Sequence, residues 1–246
     1  MNRGLFVATS LSAIGLAGCA SVKRTLTDGP FRDVLLSTEK LNRAVIGTHG
    51  LAREYAPSDI DHTFRVNSLD TPSDDAYTSM ALDGFRRYRL AVDGRVERAQ
   101  QLSLAELRAA GTRTQITRHD CVEGWSQIGE WAGVPLATVL AMARPTRDAR
   151  FCVFHCLDSD QSGTRYYESL DLTQAAHPQT ILALDLNGKP LDADHGAPVR
   201  LKIPTQLGYK SAKWVQRIEL VAALKPIGGG NGGYWEDQGY EWYAGI

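Results

Sequence analysis

Hydrophobic and polar positions alternate in short runs along most of the chain, which predicts short strands interrupted by turns. Residues 88–92 form one such run, and Asp93-Gly94 behind it favours the positive φ angles of a tight hairpin turn. Later segments rich in β-branched and aliphatic residues are bounded by Gly, Pro, Asn or Asp. They predict strands at 150–157, 181–186, 198–204 and 214–223.

Helical spacing of apolar residues occurs between these strands. Ser103 precedes an apolar run and Glu106 follows three positions later, the pattern of a capping box at a helix start. A second helix is expected to begin near Pro135, which suits a first helical turn, and to end at Arg144-Pro145. Residues 20–55 are interpreted as a leader with an N-terminal helix. Short strands and helices in alternation predict a mixed α+β fold.

The N-terminal segment has its own pattern. Arg3 is followed by an apolar run over residues 5–16 and then by Leu-Ala-Gly-Cys19. That run is shorter than the ~20 residues of a membrane-spanning helix, and small residues precede the cysteine. The pattern predicts a lipoprotein-type signal peptide at 1–19, with Cys19 as the lipidated first residue of an exported, periplasmic, membrane-anchored protein. The alternative is a poorly packed N-terminal helix or a short uncleaved anchor.

Composition limits the partners. The 246 residues are 43% hydrophobic and 22% charged, with a formal net charge of -1, so no global attraction to nucleic acid is expected. The length suffices for one large domain or two small ones. A glycine-rich stretch at 228–233 leads into five aromatic residues, too much apolar surface for water. The tail 227–246 is therefore predicted to fold back onto the body.

After Cys19, three cysteines remain, so at least one thiol lacks an intramolecular disulfide partner. Cys152 and Cys156 would lie on one face of a strand with His155 on the other, which disfavours a shared zinc site and favours buried structural cysteines. Cys121 differs because polar residues flank it. From the residues alone it is a buried thiol, a nucleophile activated by His119, or a soft metal ligand.

A second candidate segment is basic. Residues 195–217 contain five lysines and arginines and no acidic residue. Lys210, Ser211 and Lys213 bring ammonium, hydroxyl and backbone donors together, as binding of a phosphate requires. The alternative is a solvated basic face of a strand.

Three motifs occur in an order that resembles the molybdopterin-binding domain of the sulfite oxidase family. They are His-Asp-Cys-Val-Glu-Gly-Trp-Ser at 119–126, His-Gly-Ala-Pro-Val-Arg at 195–200 and Gly-Tyr-Lys-Ser-Ala-Lys-Trp-Val at 208–215. The resemblance places a β-rich domain of that fold at 56–226. It is greatest to exported bacterial members, which include the catalytic subunit of a periplasmic methionine sulfoxide reductase. Those members usually leave by a twin-arginine route, whereas Arg3 stands alone here.

The resemblance implies a molybdenum atom carried by molybdopterin, with Cys121 as its one protein ligand. Glu123 matches a carboxylate near the metal that relays a proton or orders a water, so Cys121 and Glu123 are the expected catalytic residues. Cys156 and His195 replace a threonine and an asparagine of some members. The expected cofactor contacts are Arg65, Asn67, His119, Cys121, Cys156, His195, Arg200, Ser211, Ala212 and Lys213.

The activity implied is oxygen-atom transfer on a small or protein-borne sulfur or nitrogen compound, as in a sulfoxide reductase or a sulfite oxidase. A separate haem- or quinone-linked membrane protein would exchange electrons with the enzyme. One alternative is a lipid-anchored protein that binds an anion or cofactor without turnover. Another is a cysteine hydrolase built on Cys121 and His119, for which no oxyanion or orienting partner is evident.

Overall fold

The computed structural model describes residues 50–66 and 70–246, and residues 51–246 form one compact unit. The predicted signal peptide, Cys19, the body of the predicted N-terminal helix and Asn67 lie outside the described residues. Residues 50–55 contain no helix, and Glu54 instead forms a bridge with Thr117. Within the described ranges, no helix is long and apolar enough to cross a membrane.

The described residues contain ten strands, which form two sheets. The strands of the first sheet are β1 (Leu90–Gly94), β2 (Gln100–Leu102), β5 (Phe151–Ser159), β6 (Arg165–Asp171) and β10 (Val215–Val221). They lie in the order β2-β1-β10-β5-β6, with only β1 and β10 parallel. The second sheet contains β3 (Arg113–Asp120), β4 (Ser126–Pro135), β7 (Ile181–Leu186), β8 (Lys189–Pro190) and β9 (Arg200–Lys202). Its order is β3-β4-β7-β8, and β9 pairs with β7.

The helices are short and occupy the connections between strands. The Ser103 hydroxyl and the Glu106 carboxylate cap the second helix reciprocally, as the sequence predicted. The third ends at Arg144, which adopts a left-handed conformation with φ 55° before Pro145. The α-helices are α1 (Asp75–Leu82), α2 (Leu104–Ala109), α3 (Leu136–Ala143), α4 (Leu172–Ala175) and α5 (Tyr234–Asp237), with 3-10 turns at Pro57–Asp59 and Gly208–Lys210.

The predicted mixed α+β architecture is confirmed, and the four later strands lie where the pattern placed them, though β9 is shorter than 198–204. Strands β2, β3, β4, β6 and β8 were not predicted. In β3 the buried positions include Gln115, Thr117 and His119, so the face turned inward is polar. A strand of this kind shows no alternation of apolar and polar residues and escapes a hydrophobic pattern.

The hairpin predicted after residues 88–92 is confirmed, because β1 pairs antiparallel with β2, but its turn does not lie at Asp93-Gly94. Both residues belong to β1 and continue its parallel pairing with β10, opposite Glu219 and Leu220. The chain turns only afterwards, before β2. Gly94 is needed for another reason: its φ is +83°, and a Cβ there would overlap the Leu220 carbonyl oxygen.

The C-terminal tail lies against β6 and the loop that precedes β10. Tyr234 is buried and its ring contacts Tyr166, with centroids 5.6 Å apart. Lys210, which is fully buried, donates hydrogen bonds to Glu168 of β6 and to Glu236 of α5. Breaking a buried ion pair by removing one partner typically costs about 3–5 kcal/mol, so this cluster fixes the tail to the body.

Gly94→Ala should destabilise the protein more than Gly84→Ala does. Gly84 also has a positive φ, +67°, but no atom lies within 4 Å of a Cβ placed there. The control therefore carries the backbone strain of ~1–2 kcal/mol alone, whereas Gly94→Ala adds a clash with a neighbouring strand. Urea denaturation of both variants measures the difference, and equal losses of unfolding free energy would show that β1 and β10 separate without cost.

Candidate cofactor and active site

A tight hairpin positions Cys121. The pairing of β3 with β4 ends at Asp120 and Ser126, and the Cys121 amide then donates to the Trp125 carbonyl at 2.9 Å. Gly124 closes the turn with φ +87°, a conformation that favours glycine. The Cys121 side chain is buried in the protein but lines a cavity of about 270 Å³. A thiol held on a hairpin tip at a cavity wall can bind a soft metal there.

His119 lies on the inward face of β3 and lines the same cavity as Cys121. It packs among the rings of Phe64, Trp125 and Trp131, with centroids 5.9–6.4 Å away. Burial, followed by the charge of Lys202, lowers the pKa of His119 well below 6.5, so the imidazole is neutral at pH 7. Gly208 lies against its other side, where a Cβ would come within 2.6 Å of Nε2. The glycine lets the basic loop approach the hairpin.

Three cations are buried close to the cavity that Cys121 lines. They are Arg200, Lys202 and Lys213, which are 4%, 1% and 6% exposed. Their charged groups donate to backbone carbonyls: Arg200 to His195 at 3.0 Å, Lys202 to Arg118 at 3.1 Å and Lys213 to Asp194 at 2.7 Å. Across residues 50–66 and 70–246 none of the three forms a salt bridge with a carboxylate. The Nε of Arg200 has no hydrogen-bond partner there.

Burial without a counter-charge disfavours the charged forms of these side chains. Desolvation lowers the pKa of Lys202 to about 7 and of Lys213 to about 7, with the charge of Arg200 as the next cause in both. The pKa of Arg200 falls to about 10, mainly through burial. Buried charges are normally paired or bound to a ligand. The cluster is therefore a preformed site for an anion, and Arg200 and Lys213 line the same cavity as Cys121.

The loop 208–213 forms another side of the cavity that Cys121 lines. Ser211 and Ala212 are buried and line the cavity beside Lys213. The Ser211 hydroxyl accepts a hydrogen bond from the Ile203 amide at 3.3 Å, and the Ala212 carbonyl accepts one from Leu201 at 2.7 Å. These bonds fix the loop to the segment around β9, so that the loop and Arg200 are held together.

Glu123 lies at the open side of the cavity, next to Val122. Its Oε2 accepts a hydrogen bond from the Trp125 indole at 2.9 Å. The guanidinium of Arg65 lies over the Trp125 ring, 5.2 Å from its centroid. The carboxylate is thus held beside the thiol, whereas Arg65 is exposed and reaches the hairpin from outside.

Two of the predicted site residues lie elsewhere. His195 lines a second cavity of about 480 Å³, where its Nδ1 faces Asp192 at 2.7 Å and its Nε2 faces the Phe64 carbonyl at 3.0 Å. Cys156 is buried in β5 and does not line the cavity of Cys121, and burial raises the pKa of its thiol well above 9.0. Asn67 lies outside the described residues.

The structure also shows cavity residues that sequence reasoning did not select. Lys202, which lies near the cavity but does not line it, was noted only as part of the basic stretch, and the aromatic tail was expected only to pack on the body. The additional cavity-lining residues are Val122, Tyr166, Gly208, Tyr209, Trp235 and Tyr240.

Among the described residues, no three His, Cys, Asp or Glu side chains cluster as metal ligands would. His155 Nε2 instead contacts Glu219 at 2.9 Å, while Cys152 and Cys156 are buried. Among the described cysteines no disulfide forms.

Comparison with known proteins places these features in a family. Residues 77–226 match the oxidoreductase molybdopterin binding domain. The chain is 38% identical over 250 residues to a provisionally named protein-methionine-sulfoxide reductase subunit, YedZ1, of Azospira oryzae, covering 99% of this chain and 87% of that protein. It is 32% identical over 228 residues to the protein-methionine-sulfoxide reductase catalytic subunit MsrP of Xanthomonas axonopodis pv. citri, covering 86% and 67%.

Among solved structures, the sulfane dehydrogenase SoxCD of Paracoccus pantotrophus superposes with a TM-score of 0.50 at 21% identity. The match covers 71% of this chain and 46% of that one, so this chain spans less than half the length of that structure. At this identity the likeness establishes the fold and nothing more.

The cofactor-free protein should become more stable as the pH rises from 7 to 9. Lys202 and Lys213 release protons on folding in this range, because their folded pKa of about 7 lies below the unfolded value of 10.5. The unfolded state then binds more protons, so unfolding free energy rises with pH, by at most about 1.4 kcal/mol per pH unit for each lysine. Below pH 7 the raised pKa of Asp158 acts in the opposite sense, as the raised pKa of Cys152 does above pH 9.

Lys202→Met isolates this effect, because it removes one buried charge and keeps the length of the side chain. Urea denaturation at pH 7, 8 and 9 should show a shallower rise for Lys202→Met than for the wild type. The exposed control Lys225→Met should keep the wild-type rise. Equal pH dependence in all three proteins would show that the buried lysine is not desolvated.

Proposed function

Since the chain belongs to the oxidoreductase molybdopterin-binding domain family, and is thereby an enzyme of the sulfite oxidase type, we propose that it is a molybdenum-dependent sulfoxide reductase. Its substrate class is methionine sulfoxide, free or within a protein, as the names of its relatives suggest. The observation that carries the proposal is one cavity lined by a thiol and by buried cations that lack carboxylate partners.

These residues fit the cofactor of the family. A thiolate is a soft donor that suits molybdenum, and it loses its proton on binding the metal. Arg200, Lys213 and the loop at Ser211 offer charge and hydrogen-bonding groups to the pterin and its phosphate, and Lys202 adds positive charge behind them. In this proposal Cys121 is the metal ligand. Burial of the cations is tolerated in the loaded enzyme because the phosphate neutralises them.

When bound, the cofactor supplies the two-electron redox chemistry that the side chains lack. The net reaction breaks the sulfur–oxygen bond, adds two electrons to sulfur and releases the oxygen as water with two protons. Glu123 is placed to hold one of these protons at its carboxylate, which the Trp125 indole orients. Neutral His119 supports the hairpin and adds no charge to the cationic wall.

The electrons must come from outside this chain. We propose a separate membrane protein as the donor, because the relatives are named as subunits of a reductase. The leader pattern supports export to the periplasm and a lipid at Cys19 that would keep the enzyme near such a donor. Globomycin treatment of expressing cells, which blocks lipoprotein signal cleavage, would test that anchor.

Cys121→Ser should abolish turnover and metal loading without unfolding the protein. We expect sulfoxide reduction by a reduced viologen dye to fall more than about 100-fold and bound molybdenum to fall with it, because serine is a harder and weaker donor. Elemental analysis and the thermal midpoint are measured on the same samples. Cys152→Ala is the matched control: it removes a buried thiol away from the cavity and should retain molybdenum.

The wild-type enzyme separates the remaining alternatives. Absence of molybdenum after expression in a molybdopterin-competent host would favour an anion-binding protein without turnover. An enzyme that contains molybdenum and oxidises sulfite, but does not reduce sulfoxides, would show that oxygen is transferred to the substrate and not removed from it. Retention of wild-type activity by Cys121→Ser would remove that residue from the mechanism.

A further inference from the structure

The C-terminal tail lies beyond residue 226, where the match to the oxidoreductase molybdopterin binding domain ends. It nevertheless contributes Trp235 and Tyr240 to the cavity that Cys121 lines. These two rings are stacked, with centroids 5.3 Å apart and planes at 25°, and Tyr240 meets Tyr209 edge-on at 5.3 Å. The three rings form a continuous aromatic surface, here named the aromatic wall.

The aromatic wall is anchored to the loop that carries the cofactor contacts. Lys210 bonds Glu236 at 2.6 Å, immediately next to Trp235. The Tyr209 hydroxyl donates to the Glu241 carbonyl at 2.7 Å, immediately after Tyr240. The Leu207 amide also donates to the Ala244 carbonyl at 2.8 Å. The tail is therefore fixed at several points to the segment 207–213, and the wall keeps a set position relative to the cavity.

The chemistry of the cavity divides into two parts. Its cations are Arg200 and Lys213, which the cofactor anion would neutralise. What then faces the opening is apolar or acidic: Val122, which is 47% exposed, Tyr240, which is 38% exposed, and Glu123. Among the described residues that line the cavity, an anionic substrate would then meet a carboxylate and no further cation, whereas a neutral alkyl sulfoxide would meet rings that pack well against methyl groups and sulfur.

On the basis of the proposed function, we propose that the aromatic wall of Trp235, Tyr240 and Tyr209 receives the alkyl groups on the sulfur of a neutral sulfoxide. The C-terminal tail thereby determines which sulfoxides the enzyme accepts. These residues position substrate and take no part in proton or electron transfer. Their loss should therefore weaken substrate binding and leave the rate at saturation largely unchanged.

The test uses the molybdenum-loaded enzyme and N-acetylmethionine sulfoxide. Calorimetric titration of the oxidised enzyme, without an electron donor, gives Kd in the absence of turnover, and the dye assay gives KM and kcat. We expect Tyr240→Ala and Trp235→Ala each to raise Kd and KM by ~3- to 10-fold, the effect of losing one ring–sulfur or ring–methyl contact. Tyr240→Phe keeps the ring and should stay within about twofold of wild type.

Tyr243→Ala is the matched control, because Tyr243 lies on the same tail but does not line the cavity. It should leave Kd and KM unchanged, and molybdenum content should be the same in every variant. Wild-type affinity in Tyr240→Ala would overturn the inference, even if Trp235→Ala fails to fold. A fall in kcat alone would also overturn it. A wild-type enzyme that reduces no sulfoxide would instead contradict the proposed function, and its titration would still show whether the wall binds the ligand.

Discussion

The buried cations without carboxylate partners are the constraint around which the site is organised. Lys210 lies in the same basic stretch and is equally buried, yet it is neutralised by Glu168 and Glu236. Arg200, Lys202 and Lys213 donate to backbone carbonyls and lie over the rings of Trp131 and Trp214, and none of them forms a salt bridge with a carboxylate in the described structure. One lysine therefore serves the fold, while the other three cations remain available for an anion. Burying charge without a partner is costly, and binding of the cofactor would offset that cost.

The hairpin that carries Cys121 turns polar, uncharged side chains toward those cations. Its strand β3 turns Gln115, Thr117 and His119 inward, so the second sheet presents a polar face at this position. The neutral imidazole of His119 packs beside Phe64 and Trp131, and the Trp131 ring also contacts Arg200 and Lys202. A charged histidine there would add to the repulsion among the cations, and the low pKa of His119 avoids it.

The C-terminal tail contributes both to the stability of the protein and to the shape of its cavity. Glu236 neutralises Lys210, and the adjacent Trp235 enters the aromatic wall. Glu236 and Glu241 hold the tail in place. They are the sequence neighbours of Trp235 and Tyr240, which line the cavity.

The sequence by itself determined the mixed fold, most strands with a hydrophobic face, the helix caps and the motifs that identify the family. These features are local, because they depend on spacing and on residue types within a few positions. It did not reveal β2, β3, β4, β6 or β8, and it placed a turn at Asp93-Gly94 where β1 instead pairs with β10. That pairing is between residues more than a hundred positions apart, which no local pattern encodes.

The same distinction applies to the site. The motifs selected Cys121, Glu123, Arg200 and the loop 211–213, all of which line one cavity. They did not show that His195 lies in a second cavity, that Cys156 is turned away, or that the tail supplies Trp235 and Tyr240. Only the tertiary structure decided which charges remain without counter-ions and which rings face the thiol. Both depend on burial, which arises when distant segments pack together.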